Sequence, residues 1–103
     1  MASGNGNHST VQPWLVTRDT ARLLDFVSAA FGGDEIARVL TEDGAIGHAE
    51  IRVGESILLA FDARPDWPDT PSLLRVFVVD DAATFDRAVA SGARVVTALD
   101  DNA

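Results

Sequence analysis

No cysteine occurs among the 103 residues, which excludes disulfides, thiolate metal sites and a cysteine nucleophile. Lysine is missing as well: the 8 basic residues are all arginine, set against 16 acidic ones. With a net charge of −8 and its arginines scattered singly, the chain lacks the clustered basic face that nucleic acid or an anionic membrane requires. Schiff-base chemistry is left with the N-terminal amine alone. No apolar run approaches the roughly 18 residues of a membrane span. The opening MASGNGNHST has no apolar stretch and does not read as a signal peptide. The expected location is the cytoplasm, with no nucleic-acid and no membrane partner.

What is present is the composition of one small globular domain, 47% apolar and 23% charged. Residues 1–10 read as a disordered leader, and His8 within it is given no role. Residues 11–18 are apolar and β-branched, with Pro13 where an edge strand tolerates it. Asp19 offers an N-cap to a helix that carries Leu23, Leu24, Val27, Ala30 and Phe31 at helical spacing. Gly32-Gly33 stops that helix. Strands are expected at 34–40, 46–53 and 56–62, separated by turns at Glu42-Asp43-Gly44 and Gly54-Glu55. Residues 63–71 hold three of the four prolines and read as a linker.

The pattern then restarts. Residues 72–79 predict a strand, and Asp80 or Asp81 caps a helix running to about Ser91 with Phe85, Ala88 and Val89 inside it. Gly92 ends the helix, and 94–99 is again strand-like. Two β-α-β units about 60 residues apart form an internal repeat. The predicted class is α+β: a β-α-β-β-β module over 11–62, the linker, and an incomplete second module over 72–103, each sheet covered by one helix.

At the level of motifs the chain resembles the vicinal oxygen chelate superfamily, the glyoxalase, bleomycin-resistance and extradiol dioxygenase group. The resemblance is carried by Pro13-Trp14-Leu15-Val16-Thr17-Arg18-Asp19 leading into Leu24-Asp25-Phe26, and by Phe31-Gly32-Gly33. It continues through Gly47-His48-Ala49-Glu50-Ile51-Arg52-Val53-Gly54-Glu55-Ser56, then Val78-Val79-Asp80 with Ala88-Val89-Ala90-Ser91-Gly92-Ala93. It implies paired βαβββ modules whose curved sheets enclose a cleft. In many members the cleft holds a divalent metal; in antibiotic-binding members it does not. It also implies further strands, so the sequence is expected to belong to a longer chain.

Carried over position by position, the implied metal ligands fare poorly. The first falls on Gln12, an oxygen donor. Its counterpart in the repeat is Leu73, and the one near the end of the fourth strand falls among Leu59, Ala60 and Phe61, none of which is a donor. A hard cation needs several oxygen or imidazole donors converging on one point. No metal ligand and no catalytic residue is therefore assigned, and no cofactor is expected.

Strand alternation instead predicts what lines the cleft. In the strand at 46–53, Ala49, Ile51 and Val53 form an apolar face that packs on the helix, leaving His48, Glu50 and Arg52 toward the cleft or solvent. Gln12 and Trp14 share a face of the first strand, and Arg75 and Phe77 share a face of the strand at 72–79. Arg75 interrupts an apolar strand expected to be buried, where it needs Glu50, Asp62 or an anionic ligand as partner. The expected ligand site is thus Gln12, Trp14, His48, Glu50, Arg52, Arg75 and Phe77, holding a small organic molecule without metal. The alternative is a metal-dependent lyase, isomerase or dioxygenase of the same superfamily using Zn, Ni, Mn or Fe. A homodimer is expected, because a single curved sheet leaves a face and an edge open.

Overall fold

The structure is a computed structural model describing residues 9–97; the expected leader (apart from Ser9 and Thr10) and the end of the last predicted strand lie outside the described residues. The element order is β1 (Trp14–Thr17), α1 (Thr20–Phe31), β2 (Asp34–Leu40), β3 (Ile46–Val53), β4 (Ser56–Asp62) and α2 (Asp81–Ala90). The fold is α+β: β1 to β4 with α1 complete one βαβββ module in a mixed four-stranded sheet of order β1-β4-β3-β2. Two hairpins build β2-β3-β4, and β1 joins the far edge parallel to β4, with Trp14 opposite Leu59 and Val16 opposite Phe61.

Each end of α1 is set by a single residue. Asp19 accepts a hydrogen bond from the Arg22 N–H at 3.1 Å, satisfying one free donor of the first turn. Gly32 closes the helix at φ 67°, the left-handed region that a side chain resists. Leu24, Val27 and Ala30 point to the sheet, where Leu24 and Val27 pack on Ile46, Ala49 and Ile51. The expected apolar face of β3 is thus the core. Ile46 would fall on the opposite face by strict alternation. Two positions separate the partners of Val39 and Leu40 on β3, so Gly47 is an extra residue whose bulge turns Ile46 back to the helix.

The second module differs from expectation. Residues 72–79 form no strand, and the described part of 94–99 is not a strand either. A nearly continuous apolar run allows a strand, but a ladder needs a partner, and among the described residues no strand pairs with this segment. Helix α2 forms as expected, its first turn capped by Asp80 through the Ala83 N–H at 3.0 Å. It covers no sheet of its own. It packs against α1, where the Arg87 guanidinium donates to the Ala30 carbonyl at 3.3 Å.

Residues 63–71 are no free linker. The Ala63 N–H donates to Thr17 O at 2.7 Å, extending the β1–β4 ladder by one bond, and the Thr70 N–H donates to Val16 O at 3.0 Å, bringing the segment back along the outer edge of β1. Arg18 and Asp69 add an exposed ion pair at 3.1 Å.

Candidate functional site

With α1 on one face, side-chain alternation gives the other sheet face a different character. Trp14 and Val16 from β1, His48 and Glu50 from β3, and Leu59 and Phe61 from β4 share that open face by register. Phe61 lies at its centre, only 6% exposed. The Trp14 ring meets it edge-on at 5.5 Å, and Trp67 does the same at 5.7 Å. His48 also meets the Trp14 ring edge-on, at 5.5 Å. Edge-to-face packing matches the positive rim of one ring to the negative face of the next. Trp14 and Trp67 nevertheless remain 47% and 56% exposed. Ring surface of that size, held in place and open to solvent, is what a ligand can stack upon.

Polar groups border the rings. His48 Nε2 and a Glu50 carboxylate oxygen lie 2.9 Å apart, at hydrogen-bond distance. The Arg64 guanidinium sits 5.0 Å above the Phe61 ring. Arg64 and Trp67 face each other across a tight turn at Pro65-Asp66, joined by two reciprocal backbone bonds of 2.9 Å. Proline at the second position of such a turn fixes φ near −65°, so the turn presents both side chains rigidly.

Three of the expected site residues are therefore brought together: Trp14, His48 and Glu50. Gln12 is half-buried just before β1, and Arg52 is exposed at the end of β3 opposite Asp34. Arg75 and Phe77 go elsewhere. Arg75 is not buried and needs neither Glu50 nor Asp62: it is exposed and stacks on Phe77 at 5.0 Å. Both line an open groove with Leu15, Leu23, Phe26 and Val53 on the α1 side of the sheet, so Trp14 and Phe77 do not wall one cleft. The reason is the unpaired segment 72–79, which leaves its alternate side chains in solvent.

Phe61, Arg64 and Trp67 were not expected. A search for donors passes over Phe61, and the prolines of 63–71 conceal a turn. Their signals are the Pro65-Asp66 turn pair flanked by an arginine and a tryptophan, and the position of Phe61 in the fourth strand.

Asp62 has a structural occupation. Burial alone would raise its pKa, but the backbone N–H groups of Ile46 (2.8 Å) and Thr20 (2.9 Å) and the Thr20 hydroxyl outweigh it, holding the carboxyl below its ordinary range. Among the described residues no three His, Asp or Glu side chains converge as metal ligands. His48 and Glu50 are two donors already bonded to each other, and Gln12 finds no second ligand at Leu59, Ala60 or Phe61. This donor set does not fit a divalent ion. No helix among the described residues is long and apolar enough to cross a membrane.

Three comparisons complete the description. A family model described as the Glyoxalase/Bleomycin resistance protein/Dioxygenase superfamily matches residues 7–103. Uncharacterized proteins of Mycobacterium bovis and Mycobacterium tuberculosis are 34% identical over 102 residues, 88% of this chain; the chain spans 67% and 60% of their lengths. Among solved structures, TioX from Micromonospora sp. ML1 is similar at 28% identity and a TM-score of 0.65, with 90% of this chain and 78% of TioX covered. A PhnB protein from Bacillus cereus, titled a putative 3-demethylubiquinone-9 3-methyltransferase, shares the fold at 11% identity and a TM-score of 0.63, over 81% of this chain and 72% of its own.

Proposed function

The chain belongs to the Glyoxalase/Bleomycin resistance protein/Dioxygenase superfamily, and from that premise we propose that it binds a small organic molecule, without a metal, on the open sheet face. The observation that carries this reading is the row of rings from His48 through Trp14 and Phe61 to Trp67, whose two indoles are about half exposed yet fixed by edge-to-face contacts. Apolar walls with a few convergent polar groups are the usual make-up of an organic ligand site. The proposed partners are this ligand and a second copy of the chain, and the proposed setting is the cytoplasm.

Two measurements test the reading. Zinc, nickel, manganese or iron added to the purified protein should leave its melting temperature nearly unchanged. An aromatic ligand at a hundred times its dissociation constant should add about 2.7 kcal/mol of stability, several degrees for a domain of this size. One tightly held divalent ion per chain would overturn the metal-free reading in favour of a metal-dependent lyase, isomerase or dioxygenase. Trp14→Ala and Phe61→Leu should each weaken ligand binding; unchanged affinity in both variants places the site elsewhere.

A further inference from the structure

We infer that Arg64 makes the aromatic site selective for planar aromatic monocarboxylates, an assignment that rests on the ligand-binding reading of the same site. Arg64 is anchored at both levels. Its backbone is clamped to Trp67 by the reciprocal 2.9 Å bonds, and its guanidinium is stacked 5.0 Å over Phe61. The charge is unspent. Among the described residues the arginine–carboxylate pairs are Arg18 with Asp69 and Arg38 with Glu35, and no carboxylate pairs with Arg64. In a chain with twice as many acidic residues as arginines, this leaves a fixed cation open to an external anion.

Position separates Arg64 from the other exposed arginines. Arg75 also stacks on a ring, but on the exposed Phe77, away from the row. Arg64 shares its ring with both tryptophans, since Trp14 and Trp67 each pack against Phe61. A flat ring laid on either indole brings a substituent on its rim toward the guanidinium. The planar fork of arginine pairs with a carboxylate through two parallel N–H···O bonds while its flat face remains on the ring beneath. The net charge of −8, with Glu50 on the same sheet face, disfavours a ligand of higher negative charge. One cation selects one carboxylate.

The chain carries 2 tryptophans, and both lie in this row, so intrinsic fluorescence reports occupancy of the site directly. The probes are 2-naphthoate and its neutral isostere 2-naphthamide, titrated into the full chain by fluorescence and by calorimetry. The wild type should bind naphthoate roughly tenfold more tightly than naphthamide, the scale of one charge-assisted contact at a partly exposed site. Arg64→Gln should bring the two affinities within about twofold by weakening naphthoate alone, and Arg64→Lys should keep part of the preference. Added salt should weaken naphthoate and spare naphthamide. Equal affinities in the wild type, or an Arg64→Gln variant that weakens both probes alike, would overturn the role of Arg64 while leaving the aromatic site standing. Failure of both probes to bind would overturn the site reading and the inference together.

Discussion

Asp62 joins three parts of the module with one carboxylate. One oxygen accepts from the first residue of α1 and the other from the first residue of β3, while the residue itself ends β4 beside Thr17. Charge-assisted bonds of this kind are the stronger sort, and Asp62→Ala should cost about 2 kcal/mol in a denaturant titration. The pH dependence has a definite sign. A carboxyl whose pKa is lowered by folding adds stability above its unfolded value, near 4, and that stability is lost as pH falls through the lower folded value. Glu35, lowered mainly by its bond to Arg38, and Asp43, lowered mainly by the Thr41 hydroxyl, act in the same direction from exposed positions. Asp62→Asn should therefore flatten the acid side of the stability profile. A wild-type slope retained in that variant would assign the acid sensitivity elsewhere.

Among the elements, the hairpins and α1 were legible because their determinants are local. Alternating residues, turn residues and the Asp19 and Gly32 caps all act within a few positions, and β2, β3 and β4 begin and end where the sequence places them. The failure at 72–79 has the opposite cause. Its apolar, β-branched run suits a strand, but sheet formation depends on a neighbour that no local pattern can specify. The site divides in the same way. His48 and Glu50 followed from alternation within β3, whereas Trp67 reaches Phe61 only because a turn carries it back. Packing between elements can be probed at Gly33, where an added Cβ would stand 2.9 Å from both Ile51 Cδ1 and Val27 Cγ1. Gly33→Ala should destabilise by about 1–3 kcal/mol through overpacking, and Leu24→Ala by about 3 kcal/mol through an unfilled cavity. Thermal denaturation separates these from Asp19→Ala, a lost cap costing about 1 kcal/mol.

At the scale of the whole molecule, assembly turns on segment 72–79, which pairs with no strand among the described residues. Its even-numbered side chains turn partly inward, with Leu74 and Val76 at 46% and 40% exposure, while Leu73 and Phe77 stand at 99% and 83%. A row of unpaired backbone bearing exposed apolar side chains is a template for another strand. We expect the chain to self-associate through it, in keeping with the proposed second copy. Sedimentation at micromolar concentration should show a dimer, and Phe77→Asp should shift it toward monomer. A wild-type monomer under those conditions would refute this arrangement.

Strand β1 precedes the hairpins in the chain, while its partner β4 follows them. Trp14 must wait for Leu59, and Thr17 for Asp62, whereas β2, β3 and β4 meet through short turns. Closing so long a loop is slow compared with zipping a hairpin. The three-stranded meander with α1 is thus expected to gather early, and the docking of β1 to be the late, rate-limiting step. Until then Trp14 is separated from Phe61, so the growth of edge-to-face ring contact gives that step a clock in the near-ultraviolet circular dichroism.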